Sequence, residues 1–201
     1  MINLNAKIYQ IRISLVGLTP PIWRSVQVPA DYSFWDLHVA IQDAMGWSDS
    51  HLHEFRFYSP INKKMERIGP AGFEQPEGVL VEWEAPLDEY MFIRNPSGIY
   101  RYDFGDSWTH AIQFEAELPA VPSQDYPLCL AGERKCPAED CGGIEGYKDL
   151  LEIISNDDHP KYDSMIEWLR GSFDPEEFDP AEVQFRDPKK RWDELYSEPD
   201  S

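Results

Sequence analysis

The stretch IWRSVQVPADYSFWDLHVAIQDAMGWSDSHLHEFRF, residues 22–57, reads as strand, helix, strand and decides the fold class. Ile22, Arg24, Val26 and Val28 fall on alternate positions up to Pro29, the period of a half-buried strand. Ser33 then offers a helix cap, with Asp36 three residues on as in a capping box and Tyr32 placed to staple onto Leu37. Leu37, Ala40, Ile41, Ala44 and Met45 form one apolar helix face, and Gly46 supplies a left-handed stop. A strand across residues 54–58 follows, with Phe55 and Phe57 on one side.

Upstream, Tyr9, Ile11, Ile13 and Leu15 alternate with polar neighbours until Thr19-Pro20-Pro21 breaks the strand. Downstream, GPAGFEQPEG at 69–78 is a loop by composition. Tyr100, Tyr102 and Phe104 alternate, Gly105-Asp106 turns the chain, and Trp108, His110, Ile112 and Phe114 alternate away, which predicts a hairpin. In the last third Tyr147, Leu150, Leu151 and Ile154 share a helix face, as do Tyr162, Met165, Ile166 and Leu169. Asp174-Pro175 and Asp179-Pro180 each read as a cap followed by proline at the first helical position, and residues 197–201 read as a frayed end. Strands first and helices last predict an α+β fold. The expectation is a single domain over 1–201: a strand–strand–helix–strand unit, like the start of a β-grasp, on a mainly antiparallel sheet, with a helical C-terminal third.

The formal charge of −19 is uneven: residues 1–70 carry a net +1, residues 71–118 a net −8 and residues 119–201 a net −12. High net charge favours a soluble, monomeric chain and opposes phosphate backbones, whose affinity for proteins comes from clustered Lys and Arg. Tight duplex-DNA binding is therefore not expected. A basic patch would have to come from Arg12, Arg24, Arg56, Lys63, Lys64 and Arg67 sharing a face after folding. No apolar run reaches the length of a membrane span, and MINLNAKIYQ lacks the form of a signal peptide. With three cysteines, an odd number, the expectation is a cytoplasmic protein with reduced thiols.

Three segments concentrate the reactive side chains. HLHEF at 51–55, YDFGDSWTH at 102–110 and CLAGERKCPAEDCGG at 129–143 hold all three cysteines and three of the five histidines. His51 and His53 are two apart, so on a strand both point the same way and could grip one metal or anion. Cys129, Cys136 and Cys141 follow C-x6-C-x4-C and, with His51 and His53, could supply zinc with thiolate and imidazole. That spacing is not the paired C-x2-C of a zinc ribbon, and cysteines also bury as small hydrophobes. His53, Asp103 and His110 are the candidate catalytic groups. A carboxylate of Asp103 or Asp106 across the hairpin turn would orient His110, although a histidine on an apolar face is ordinarily a hydrogen-bonded core residue. His51, Glu54, Asp106 and Trp108 are candidate pocket residues. No phosphate-binding loop, dinucleotide fingerprint or serine-hydrolase elbow occurs.

The strand–helix–strand stretch, YRYDFGDSWTH, CLAGERKCPAEDCGG and GSFDPEEFDP, in this order, resemble the plasmid pRiA4b ORF-3-like family. The resemblance runs from about residue 7 to about residue 186 and leaves residues 187–201 outside. It implies a distinct α+β fold. Some members are labelled TnpR, an insertion-element passenger, which implies a mobile-element association and a resolvase. A resolvase needs a nucleophile beside clustered arginines, whereas here the arginines are scattered. The expected function is a soluble binding or interaction domain for a small ligand or protein, with a pocket lined by His, Asp and Cys. A metal-dependent hydrolase acting on phosphoesters and a transposon-associated DNA transaction are the alternatives.

Overall fold

The computed structural model describes residues 6–70 and 78–196. Strands β1 (Lys7–Leu15) and β2 (Trp23–Pro29) precede helix α1 (Phe34–Met45), followed by β3 (His53–Ser59), β4 (Lys64–Gly69), β5 (Val79–Val81), β6 (Ser97–Tyr102), β7 (Trp108–Pro119) and β8 (Leu128–Glu133). Helices α2 (Gly143–Ile154), α3 (Tyr162–Trp168) and α4 (Pro188–Tyr196) complete the chain. The strands form one sheet in the order β5-β4-β3-β6-β7-β1-β2-β8, antiparallel throughout except for β4–β5. The fold is α+β with its helices concentrated in the C-terminal part. The β6–β7 hairpin lies between β3 and β1 in the sheet. Among the described residues no helix is long and apolar enough to cross a membrane. The predicted 69–78 loop falls mostly outside the described residues, as do residues 197–201.

Local chemistry accounts for α1. The Ser33 hydroxyl accepts the Asp36 N–H while the Asp36 carboxylate accepts the Ser33 N–H, and Gly46 closes the helix at φ 78°. Leu37, Ala40, Ile41, Ala44 and Met45 are all buried, and Phe34 packs among Phe55, Phe57 and Tyr90. The far side of α1 is covered too. Trp35 donates to the Pro188 carbonyl and meets the Trp192 ring, so α4, beyond the span of the sequence resemblance, shields this side of α1. A helix buried on both sides is apolar nearly all round, and this is the reason for so few charges in α1.

Arg24 shares the core-facing row of β2 and is buried, with no carboxylate partner among the described residues. Its guanidinium instead donates to the carbonyls of Ala44, Trp23, Glu133 and Arg134, with the Phe178 ring 3.5 Å away. It ties the end of α1 to β2 and to the chain leaving β8.

Three sequence expectations shift in register. β6 ends at Tyr102, because Asp103 (φ 54°) and Ser107 (φ 63°) turn the chain and leave Phe104 exposed. α2 buries Gly143, Tyr147, Leu150 and Ile153, whereas Leu151 and Ile154 are only partly covered. The helix is phased by Gly143, which lies directly against the Asp106 carbonyl. On α3 and its cap the predicted face of Tyr162, Met165, Ile166 and Leu169 is the half-buried one, whereas of the two Asp-Pro pairs only Asp179-Pro180 starts a helical turn, a short 3-10 element.

Candidate functional site

The three reactive segments meet at one end of the β3–β6–β7 region. The Asp103 N–H donates to the Leu52 carbonyl, tying the hairpin turn to the residue between the two histidines. The Tyr102 hydroxyl donates to Glu139 Oε1 (2.5 Å) and accepts the Ser50 N–H. Burial, then the Glu139 hydrogen bond, raises the pKa of Tyr102, so the phenol keeps its proton. Glu139 Oε2 accepts from the Ser48 N–H and hydroxyl, and Trp47 Nε1 donates to the Pro137 carbonyl (2.9 Å). Asp106 Oδ2 accepts the Gly142 N–H (3.1 Å), which clips the cysteine loop to the hairpin.

At this junction His51 Nε2 lies 3.0 Å from Asp140 Oδ1 and 3.8 Å from Asp103 Oδ2. One potential ligand atom from each residue falls within 4.8 Å of the others. Ligands held about 2.1 Å from one metal ion sit about 3.0–3.4 Å apart, so these groups need to close by only about an ångström. Asp103 Oδ1 is already occupied by the Gly105 and Asp106 N–H groups, which leaves Oδ2 facing the histidine. Asp103 and Asp140 (φ 60°) both sit in the left-handed region, which aspartate tolerates better than most residues. The site is open on one side only: the Asp140 side chain is 70% exposed, whereas His51 Nε2 is buried without a hydrogen-bond partner among the described residues and Asp103 is largely covered.

His53 is elsewhere. His51 precedes the first residue of β3, so the two-residue spacing does not place both rings on one strand face. His53 is buried, 2.5 Å from Glu82, and stacks face to face on His38, with centroids 3.5 Å apart and planes 5° from parallel. His38, His53 and Asp49 form a second group with ligand atoms within 4.8 Å. A metal bound to both rings would sit midway between planes 3.5 Å apart, about 60° out of each ring plane at a bond of about 2.1 Å, where no lone pair points.

As it stands, His38 and Asp49 of this second group belong to a closed hydrogen-bond ring that leaves His53 outside, on Glu82. The Asp49 N–H donates to Gln42 Oε1, the Gln42 amide to the Tyr100 oxygen, the Tyr100 hydroxyl to His38 Nδ1, and His38 Nε2–H to Asp49 Oδ1. Arg191 of α4 grips the other Asp49 oxygen. Burial and the neighbouring His53 lower the His38 pKa to about 4 despite Asp49 pulling the other way, so the ring is neutral at His38. Two residues beyond Asp49 comes His51, so this ring anchors the loop carrying the open site.

Other candidates separate in the same way. His110 is fully buried between Tyr100 and Trp47, its pKa lowered by burial to about 3, and neither ring nitrogen has a hydrogen-bond partner among the described residues. The expected pairing with Asp103 or Asp106 is not formed, because His110 points into the core while both carboxylates serve the turn and the loop. Trp108 is buried beside Trp47. Glu54 lies on the opposite face of the sheet, bound by Arg56 and Arg67 at 2.5 Å each.

Cys129 belongs to β8, and Cys136 Sγ rests 3.8 Å from the Met45 sulfur. Among the described residues no cysteine joins either ligand group. Burial pushes the thiols of Cys136 and Cys141 up to about 12 and raises that of Cys129, so all three stay protonated and behave as apolar groups. Behind the loop a cleft of about 530 Å³ is lined by Met45, Trp47, Cys136, Glu139, Phe173 and Phe178 among others; of the expected pocket and metal candidates only Cys136 reaches it.

A mostly antiparallel sheet crossed by a doubly buried helix, with a His/Asp junction at one end, defines an α+β domain that could hold a metal ion. The chain belongs to the plasmid pRiA4b ORF-3-like family, whose sequence model matches residues 7–182. It is 31% identical over 199 residues to the uncharacterized protein y4hQ of Sinorhizobium fredii (strain NBRC 101917 / NGR234), covering 94% of this chain and 93% of that one. A crystal structure of MM3350 from Methanosarcina mazei Go1, a protein of unknown function, is similar at a TM-score of 0.85 and 41% identity, over 90% of this chain and 99% of that one.

Proposed function

We propose that this is a binding domain whose site is the His51–Asp103–Asp140 group and whose ligand there is a divalent cation. One observation carries the reading. Asp103, Asp106, Glu139 and Asp140 gather at one junction where, among the described residues, no Lys or Arg forms an ion pair with any of them. Carboxylates brought together without a cation repel each other, and a bound divalent ion removes that cost. One imidazole and two carboxylates, with no thiolate, suit Mn²⁺ and also admit Zn²⁺, but not a soft ion such as Cu⁺. The exposed side leaves room for water or for an anionic group of a second ligand.

Calorimetric titration with Mn²⁺ tests this. We expect one saturable site, weakened at least about tenfold in His51→Ala and in Asp140→Asn, the size of loss that follows removal of one good ligand group. Asp140 is mostly exposed, so Asp140→Asn should leave the fold intact. Absence of saturable binding, or equal binding by both variants, contradicts the reading. An open coordination position is also what metal-assisted phosphoester hydrolysis needs. Turnover of bis(p-nitrophenyl) phosphate that disappears in Asp140→Asn would make the domain an enzyme; metal binding without turnover keeps it a binding domain.

A further inference from the structure

We infer that the open face of the sheet over β4, β3 and β6 binds single-stranded nucleic acid, independently of the metal reading. Strand alternation sorts the side chains. Phe55, Phe57, Tyr100 and Tyr102 are buried, so Arg56, Tyr58, Ile99 and Arg101 project from the other face, joined on β4 by Met65 and Arg67. Tyr58, Met65 and Ile99 remain exposed there, and among the described residues nothing covers this part of the face.

Charge is the first argument for an occupant. The chain carries −19 overall, yet among the described residues this patch gathers Arg56, Arg67 and Arg101 around the one acid Glu54. The other acids of the face, Glu115 and Glu117 on β7 and Glu133 on β8, lie beyond it. Arg56 and Arg67 sit directly opposite each other in the register, a like-charge pair that destabilises a sheet unless a third group binds both. Glu54 does so, but it takes only Nε of Arg56, and Nε and Nη2 of Arg67. The two side chains stay 51% and 46% exposed, with their remaining N–H groups unpartnered among the described residues. Arg101 has a buried Nε without a hydrogen-bond partner and lies over the Phe104 ring at 5.1 Å.

The second argument is stacking surface. Tyr58 and Phe104 are both exposed and lie at opposite ends of the arginine group, Tyr58 two residues beyond Arg56 on β3 and Phe104 just beyond Arg101, whose guanidinium lies over its ring. Arg56 and Arg67 lie one strand apart, about 5 Å, and Arg101 one strand over and two residues along from Arg56, about 8 Å; cations in the middle with an exposed ring at each end match a strand whose phosphates repeat and whose bases are unstacked. A duplex hides its base faces and needs more phosphate contacts than three arginines make, in a chain whose net charge repels it. An acidic peptide would use the cations but leave the rings without a role.

Fluorescence anisotropy with a labelled single strand of about 15 nucleotides, alongside the matching duplex and a polyglutamate peptide, decides the matter. With three phosphate contacts the single-strand affinity should fall with salt at a log–log slope of about −2. Tyr58→Ala should weaken binding at least about fivefold. Arg101→Gln should both weaken binding and flatten the salt slope by somewhat less than one. Neither variant touches the Glu54 ion pairs, so folding is preserved, which circular dichroism checks. Failure to bind the single strand, equal binding of the duplex, preference for polyglutamate, or affinities unchanged in both variants would overturn the inference.

Discussion

Gly143 is the point where the docking of the cysteine loop can be tested quantitatively. Its φ is +68°, and a Cβ built there would lie 2.6 Å from the Asp106 carbonyl oxygen. Ordinary contact begins near 3.4 Å, so alanine forces the hairpin turn and the start of α2 apart by about 0.8 Å. Gly46, at φ +78°, has nothing within 4 Å of its hypothetical Cβ and serves as a control for backbone conformation alone. Alanine in the left-handed region costs about 1–2 kcal/mol, so Gly46→Ala should lose about that much. Gly143→Ala adds overpacking against a backbone that cannot rotate away, about 1–3 kcal/mol more. Urea unfolding at neutral pH should place Gly143→Ala at least about 1 kcal/mol below Gly46→Ala with the same m-value, a further loss of about 2–4 °C in Tm for a chain of this size. Because the Asp106–Gly142 hydrogen bond sets Asp140 against His51, Mn²⁺ affinity should fall in Gly143→Ala and not in Gly46→Ala. Equal destabilisation of the two variants would refute the close approach.

Three further outcomes are expected. His38 and His110 have folded pKa values near 4 and 3, below their ordinary 6.5, so the unfolded chain takes up protons first and stability falls as pH drops from about 6.5 towards 4. Each contributes up to about 1.4 kcal/mol per pH unit in that window, and His110→Phe should remove its share of the slope in urea midpoints measured between pH 7 and pH 5; an unchanged slope would show that His110 takes up no proton on unfolding. Arg24→Met should cost about 3 kcal/mol in urea unfolding by leaving four carbonyls without their donor, and Arg24→Lys should not restore it, because a point ammonium cannot span the fork; recovery by lysine would contradict the geometry. Asp49→Ala opens the buried ring and strands Arg191, so it should cost about 3–5 kcal/mol and also weaken Mn²⁺ binding through the displaced His51 loop, read by unfolding and titration on the same sample.

What was legible in the sequence was local. The capping box at Ser33 and Asp36, the Gly46 stop and the Tyr100–Phe114 hairpin each arise from neighbours in the chain, and each formed near its predicted place. The rarity of His and Cys singled out three segments that the fold brings to one junction. What separated His51 from His53 was where β3 begins, a boundary set by pairing with β6 and invisible in a two-residue spacing. His38 and Gln42, one turn apart on α1, look like interruptions of an apolar helix; their spacing was the available signal for a buried polar network. Of its other members, Asp49 follows just beyond the end of α1, whereas Tyr100 and Arg191 come from distant parts of the chain and no local pattern links them to the helix. Arg12, Arg56 and Arg67 do share the outer face of the sheet, while Arg24, on the opposite parity of β2, is buried.

The most direct test of the metal site is a crystal of the protein soaked in Mn²⁺ and measured above the manganese absorption edge. We expect one anomalous peak about 2.1–2.3 Å from His51 Nε2, Asp103 Oδ2 and Asp140 Oδ1, with water completing the shell. A map with no peak at that junction, or with its only peak at the Cys129–Cys136–Cys141 loop or between His38 and His53, would contradict it.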